Sequence, residues 1–181
     1  MKHLYYVRHG ESDANVAALW SGSHDAVLTP HGIEQAKTAG KKAHDEGLTF
    51  DLIISSPLQR AHNTAKIIAE ETGYPSDKII LDKNLQERFF GALEGTKHEK
   101  ELIDAYWNNE TVIDSTEDVE TLEALHTRAR NILASLKDRP EDTILIVSHG
   151  AFGRAMRRIL EDLPPTTIVN AYPNAQVFKL I

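Results

Sequence analysis

Short apolar runs bounded by polar or turn residues constrain the fold of this chain most strongly. They lie at Leu4–Val7, Leu52–Ile54, Ile79–Leu81 and Ile144–Val147. These runs are rich in Ile and Val and do not alternate with polar residues, which is typical of strands buried on both faces of a parallel sheet. A later segment, Gln176–Leu180, does alternate and indicates an edge strand.

Helical patterns separate the apolar runs, so strands and helices alternate along the chain. We predict an α/β fold, a three-layer α/β/α sandwich with a mainly parallel sheet and helices on both faces, formed by one domain over residues 1–181. The acidic segment Asn108–Asp118 is predicted to be a loop or an insertion over the sheet edge. Five helices are predicted. The first begins at Thr29-Pro30, the second begins at Pro57 and ends at Gly73, and the third follows a capping box at Thr96–Glu99. The fourth extends from about Glu117 to Lys137, and the fifth follows Gly150.

Composition excludes several classes of protein. The chain has 181 residues and no cysteine, which rules out a disulfide scaffold, a thiolate zinc site and a cysteine nucleophile. Its formal net charge of −7 argues against nucleic acid as a partner.

No run approaches the roughly 18 apolar residues of a membrane span, and the first apolar run is too short for a signal peptide. A cytoplasmic location is therefore expected, whereas the pattern does not indicate an oligomeric state.

Polar residues with catalytic potential follow the predicted strands. Because ligands of doubly wound sheets bind outside the carboxyl ends of the strands, these residues are expected to converge on one site. They are Arg8, His9, Gly10 and Asn15 after the first strand, Arg60 after the second, Glu87 after the third, and His149 and Gly150 after the fourth.

The chemistry of this set is that of a phosphoryl group. Guanidinium groups beside imidazoles suit a dianion, and a neutral histidine is able to act as a nucleophile. The second imidazole, if protonated, would stabilise charge, and the glutamate would donate and accept protons. Gly10 and Gly150 would allow the backbone to approach a ligand closely. The expected partner is a small phosphorylated substrate, with no metal and no cofactor.

The same residues resemble the histidine phosphatase superfamily, in the branch that includes the cofactor-dependent phosphoglycerate mutases. The similar blocks are Tyr6–Glu11 with Asn15, then Ser55–Ala65, Leu85–Gly95 and Val147–Gly150, in the family order. The resemblance implies the three-layer fold, His9 as the phosphorylated nucleophile and Glu87 as the proton donor. It also implies His149 as the second imidazole of the pocket, with Arg8, Asn15, Arg60 and the backbone of Gly22 holding the phosphoryl oxygens.

The resemblance leaves the outcome of the reaction open, because a phosphatase and a mutase share the covalent chemistry. Phe90 stands where the mutases have a tyrosine hydroxyl, and the chain has little room for segments that grip a phosphoglycerate carboxylate, so we favour a phosphatase. The segments Glu87-Arg88 and Gly91–Gly95 nevertheless resemble the mutases, and Lys97 would suit an acidic substrate. A phosphate-binding regulatory module without turnover and a phosphohistidine phosphatase acting on proteins are the remaining alternatives.

Other polar residues are expected to be structural. His44, His62, His98 and His126 are predicted to be solvated on helices, and Arg154, Arg157 and Arg158 to form a solvated helix face. No His-x-x-x-His or His-Glu-x-x-His motif supports a metal site. Substrate contacts, His24 among the candidates, are expected from the segments Ser21–Val27, Phe89–Lys97 and Asn108–Asp118.

Overall fold

The computed structural model describes residues 2–181, which contain a mixed sheet of five strands. The strands are His3–Arg8 (β1), Leu52–Ser55 (β2), Ile80–Leu81 (β3), Thr143–Ser148 (β4) and Phe178–Lys179 (β5). Their order in the sheet is β3-β2-β4-β1-β5. The first four strands are parallel to one another, and β5 is antiparallel to β1. This arrangement confirms the mainly parallel sheet and the C-terminal edge strand.

Helices cover both faces of the sheet, which confirms the three layers. The helices are Asp13–Val16 (α1), Pro30–Asp45 (α2), Gln59–Thr72 (α3), Lys100–Asn108 (α4), Leu122–Lys137 (α5) and Gly150–Leu160 (α6). The helices α2 and α3 pack on one face, and α5 and α6 pack on the other.

The central strands explain why their sequences do not alternate. In β4, Ile144 and Ile146 belong to the core under α5 and α6, whereas Leu145 and Val147 belong to the core under α2 and α3. Successive side chains of a strand point to opposite faces, and here both faces are covered. An unbroken apolar run is therefore required for burial.

Several predictions about individual elements are wrong. The third apolar run was predicted to be buried, but Ile80 and Leu81 of β3 are 43% and 47% exposed, because this strand forms an edge of the sheet. No capping box forms at Thr96, whose hydroxyl donates to the carbonyl of Leu93, and α4 begins later without a side-chain cap. The helix predicted from Glu117 begins at Leu122, where the Thr121 hydroxyl accepts from the N–H of Ala124.

The acidic segment Asn108–Asp118 folds inward instead of remaining a plain loop. It contains the 3-10 helix Glu110–Ile113, and the side chains of Glu110 and Ile113 are buried. Ile113 and Val119 complete a third apolar cluster with Trp20, Phe90 and Tyr106, separate from the two sheet cores. Across the described part of the chain, none of the helices has the length and apolar character needed to span a membrane.

Candidate active site

A cleft opens beside the carboxyl ends of β1 and β4. Its volume, including space that is open to solvent, is about 580 Å³. The polar residues that line it include Arg8, His9, Asn15, Arg60, Glu87 and Arg154, together with the first residues of α6, Gly150 and Ala151. Most of the site residues predicted from the sequence therefore share one cleft, as expected from the parallel topology.

His9 follows the last residue of β1 and is only 4% exposed. Its Nδ1 lies 2.7 Å from the carbonyl oxygen of Gly10. A carbonyl only accepts hydrogen bonds, so Nδ1 carries the proton of the neutral ring and Nε2 keeps a free lone pair. Burial, followed by the positive charges of Arg60 and Arg8, lowers the pKa of His9 well below 6.5. The ring is therefore neutral at pH 7, as a nucleophile must be.

The two arginines whose charges act on His9 differ in their hydrogen bonding. Arg8 donates from Nη1 to the carbonyl of Tyr172 at 3.4 Å, and its Nε is buried without a hydrogen-bond partner. Arg60, in the first turn of α3, donates to the carbonyls of Ser21, Gly22 and His24. Arg60 thus fixes the loop beside the cleft while its charge lies close to His9.

His149 lies behind His9 and is fully buried, with the two ring centroids 5.1 Å apart. Its Nε2 is 2.8 Å from the Ser56 hydroxyl, and its Nδ1 is buried without a partner. Burial, then the charge of Arg60, lowers the pKa of His149 well below 6.5. The imidazole is therefore neutral at pH 7, not the cation that the sequence interpretation allowed. The hydroxyl of Tyr6 donates to the carbonyl of His149 and fixes the backbone there.

Glu87 is held at the start of α6. Its carboxylate accepts from the backbone N–H groups of Ala151 and Phe152, at 3.0–3.1 Å, and from that of Arg88 at 3.0 Å. A helix N-terminus is a favourable place for a carboxylate because its first N–H groups are unpaired. Arg128 of α5 donates to the carbonyls of Gln86 and Glu87 and so fixes the backbone that carries the carboxylate.

Asn15 and Gly22, both predicted to bind phosphate, occupy different environments. Asn15 lines the cleft, and its Oδ1 accepts from the N–H of Ser12 in a capping box. Gly22 does not line the cleft, and its N–H donates to the carboxylate of Glu94. Glu94 also accepts from the N–H groups of Ser23 and His24. The loop that contains Gly22 is therefore held by Glu94 through its N–H groups and by Arg60 through its carbonyls.

The two glycines beside the histidines serve different purposes. A Cβ at Gly10 would lie 2.4 Å from the carbonyl oxygen of Gly32 in α2, so Gly10 is required by packing of the backbone. A Cβ at Gly150 would lie no closer than 3.6 Å to Arg8 and Glu87. The close approach expected at Gly10 is thus to another part of the chain.

The predicted solvated face of α6 is wrong for Arg154 and Arg158, which are 3% and 2% exposed. Both guanidinium groups bind the buried carboxylate of Glu110. Although burial opposes it, the charges of Arg154 and Arg158 lower the pKa of Glu110 to about 2. Only Arg157 remains partly exposed, in an ion pair with Glu161. The acidic segment supplies the carboxylate that allows these arginines to be buried.

The other histidines also differ from one another. His44 is exposed as predicted, whereas His126 is 1% exposed and His98 lies outside any helix, lining the cleft. The ring of His24 is exposed. Its main-chain carbonyl accepts a hydrogen bond from Arg60. Asp25 accepts from the N–H of Gln59 at the start of α3.

Residues that the sequence interpretation missed form the apolar part of the cleft: Leu19, Trp20, Ile103, Tyr106 and Trp107. No periodic pattern relates them to the catalytic blocks. Arg154 was detectable, because it lies four residues after Gly150 in one helix and hence on the same helix face. In residues 2–181, no group of three or more His, Asp or Glu side chains is placed to hold a metal ion.

Comparison with known proteins defines the class of this enzyme. The model of the histidine phosphatase superfamily (branch 1) matches residues 4–180. The chain belongs to this superfamily, whose members are enzymes, and the resemblance to the superfamily is confirmed.

Sequence relatives include phosphoglycerate mutases. A 2,3-bisphosphoglycerate-dependent phosphoglycerate mutase from Rhizobium rhizogenes is 43% identical over 109 residues, which cover 60% of this chain and 51% of that protein. An enzyme of the same name from Brucella melitensis is 33% identical over 190 residues, covering 96% of this chain and 88% of that protein.

Structural relatives include phosphatases. A mycobacterial glucosyl-3-phosphoglycerate phosphatase, solved in complex with VO3, has a TM-score of 0.84 and 27% identity over 99% of this chain and 92% of that chain. The α-ribazole phosphatase from Shigella flexneri has a TM-score of 0.81 and 28% identity over 98% of this chain and 89% of that chain.

Proposed function

We propose that this chain is a phosphomonoesterase that works through a phosphohistidine formed on His9. The observation that most supports this proposal is the protonation state of His9. Its Nδ1 donates to Gly10 and its pKa is lowered by burial and by Arg60 and Arg8, so a neutral Nε2 faces a cationic cleft. A nucleophile for phosphorus needs that combination of a free lone pair and positive surroundings.

The polar atoms around His9 support a phosphoryl site. Arg8 Nε and His149 Nδ1 are both buried without partners in the structure. A buried donor such as Arg8 Nε is costly without a partner, and an oxygen of a bound phosphoryl group would accept a hydrogen bond from it. His149 Nδ1 would donate in the same way in the tautomer that carries its proton there. Asn15 and Arg60 also line the cleft.

The reaction takes place in two steps. The substrate binds to the form of the enzyme in which Glu87 has taken up a proton from solvent. His9 Nε2 attacks phosphorus, the P–N bond forms and the P–O bond to the leaving group breaks, while Glu87 donates its proton to the leaving oxygen. Water then attacks the phosphohistidine, Glu87 accepts a proton from it, and the P–N bond breaks to release inorganic phosphate and free His9. Glu87 therefore begins and ends the cycle in the same protonation state.

Hydrolysis is favoured over phosphoglycerate isomerisation by the wall facing the leaving group. Phe90 lines the cleft there and offers no hydroxyl, and Lys97 is exposed outside the lining residues. Arg154 does line the cleft, but it donates to Glu110 and Tyr106. Isomerisation is the second candidate, because the relatives from Rhizobium and Brucella are named mutases.

The test follows free phosphate and isomerised product together. The protein is incubated with p-nitrophenyl phosphate, alkyl phosphates and 3-phosphoglycerate, with and without 2,3-bisphosphoglycerate. We expect phosphate release without 2-phosphoglycerate, lost in His9→Ala and retained in His44→Ala, an exposed histidine. Isomer formed faster than phosphate would establish the mutase. Turnover of more than a few per cent in folded His9→Ala would refute the nucleophile, and no reaction at all would favour the binding module.

A further inference from the structure

The cleft that contains His9 also has an apolar and aromatic wall. It consists of Leu19, Trp20, Phe90, Ile103, Tyr106 and Trp107. With the phosphoryl group at His9 and the arginines, this wall is the part of the lining that remains for the group that leaves when the ester is cleaved. Its surface therefore bears on which esters the enzyme accepts.

Buried rings support the exposed part of this wall. Trp20 lies edge-on to Phe90 and Tyr106, with ring centroids 4.9 and 5.1 Å apart, and all three side chains are buried. Trp107 packs edge-on against Tyr106 at 5.5 Å, and the Arg154 guanidinium lies 4.9 Å from the Trp107 ring centroid. Trp107 nevertheless remains 49% exposed. A large aromatic surface is thus held in place and left accessible in a cleft.

Few polar side chains interrupt this wall. Two of the three Arg154 nitrogens already donate to Glu110 and Tyr106. His98 lies edge-on to Trp20, and burial lowers its pKa below 6.5, so its ring is neutral at pH 7. A carboxylate placed here would meet only the third nitrogen of Arg154, whose charge is partly neutralised by Glu110, and would lose water in return.

We propose that the cleft selects phosphomonoesters whose alcohol carries an apolar or aromatic group, which packs against Trp107 and Ile103. This inference rests on the proposed phosphomonoesterase activity. It names the class of substrate for the same site: the phosphoryl group lies at His9, and an uncharged hydrophobic leaving group lies on the aromatic wall.

The test compares 2-phenylethyl phosphate with ethyl phosphate, which share a primary alkyl leaving oxygen, so that a preference reports binding and not leaving-group reactivity. Transfer of a phenyl ring from water predicts a kcat/KM ratio of about tenfold or more. Trp107→Ala should reduce this ratio several-fold, mainly through KM, because the contact is made equally in the ground and transition states. Phe89→Ala is the matched control, since Phe89 is 41% exposed and does not line the cleft.

A binding measurement supplements the kinetics. The non-hydrolysable 2-phenylethylphosphonate should quench tryptophan fluorescence at lower concentration than ethylphosphonate, and this difference should shrink in Trp107→Ala. If Trp107→Ala does not fold, Ile103→Ala serves instead, because Ile103 lies on the same wall.

The possible results distinguish a failure of the proposed substrate class from a failure of the phosphomonoesterase activity. Equal kcat/KM for the two alkyl esters, or a preference for 3-phosphoglycerate over both, would overturn the substrate class while leaving the phosphatase intact. A preference unchanged in Trp107→Ala and Ile103→Ala would also overturn it. Failure to hydrolyse any ester, p-nitrophenyl phosphate included, would instead refute the phosphomonoesterase.

Discussion

The side-chain amide of Asn174 donates a hydrogen bond of 2.7 Å to the main-chain carbonyl of His9. The adjacent N–H of Ala175 donates to the carbonyl of Arg8 at 2.8 Å. The segment around Asn174 thus fixes the backbone of the proposed nucleophile and its neighbouring arginine, although it is distant from them in sequence. Asn174 is a positioning residue, because it acts through the backbone of His9.

Asn174→Ala should lower kcat by about tenfold or more, because small displacements of a nucleophile reduce the rate strongly. The lost hydrogen bond should cost stability only about 1 kcal/mol. Steady-state kinetics and urea unfolding measure the two effects, with the exposed Asn170→Ala as control. A loss of stability with kcat unchanged would indicate a purely structural role.

Glu87→Gln should reduce kcat for alkyl phosphates by about 10²–10⁴-fold, because an amide cannot donate the proton that the leaving oxygen requires. The loss should be smallest for p-nitrophenyl phosphate, whose leaving group needs little protonation. Rates for the two classes of ester are compared in the variant and in Glu117→Gln, which changes an exposed carboxylate. Equal losses for both esters would contradict general acid catalysis by Glu87.

Much of the fold was predictable because local pattern and burial agree. The runs of β1, β2 and β4 are apolar throughout, since both faces of these strands are covered. The polar residues that follow them converge because parallel strands end at the same edge of the sheet. His9, Arg8 and Arg60 were therefore placed together from the sequence, with motif resemblance adding the role of Glu87.

The remaining features depend on contacts between distant segments. Arg154 and Arg158 have the helical spacing of a solvated face, and only the inward folding of Glu110 makes their burial possible. Trp107 belongs to the cleft because α4 packs over it, which no periodicity encodes. The environment of Gly22 depends on Glu94, 72 residues further along the chain.

His9 should remain neutral as the pH falls through 6.5, because burial, Arg60 and Arg8 all lower its pKa. In the unfolded chain a histidine binds its proton near pH 6.5. The unfolded state therefore takes up more protons below that pH, and the His9 contribution to stability declines as the pH falls from about 6.5 toward the folded pKa. Nitrogen NMR of the ring should report Nδ1–H and an unprotonated Nε2 at pH 6. A doubly protonated His9 at that pH would exclude it as a ready nucleophile.

Chelators should leave phosphatase activity unchanged, because the described residues 2–181 provide no metal-binding group of His, Asp and Glu, and the proposed charge stabilisation comes from Arg8 and Arg60. Activity is measured after dialysis against EDTA and after addition of Mg²⁺ or Zn²⁺. A large loss with EDTA, restored by one of these ions, would disprove the metal-independent mechanism.

Glu110→Gln should destabilise the protein by about 3–5 kcal/mol, because both buried guanidinium groups would lose their carboxylate. In the wild type, lowering the Glu110 pKa from 4.5 to about 2 corresponds to roughly 3 kcal/mol at neutral pH. A depressed carboxylate pKa stabilises the fold above pH 4.5, and that contribution is lost as the pH falls toward 2. Urea unfolding at pH 7 and at pH 3 should therefore show a smaller acid loss in the variant.

The matched control is Glu117→Gln, in the same segment but exposed. If Glu110→Gln does not fold, Arg158→Met leaves the Arg154–Glu110 pair, which is joined by two hydrogen bonds, and should shift acid unfolding to higher pH. Stability of Glu110→Gln within about 1 kcal/mol of the wild type would mean that the buried charges of Glu110, Arg154 and Arg158 contribute little. If Glu110→Gln does lose stability, it should also bind 2-phenylethylphosphonate more weakly, since Glu110 holds the Arg154 that packs on Trp107.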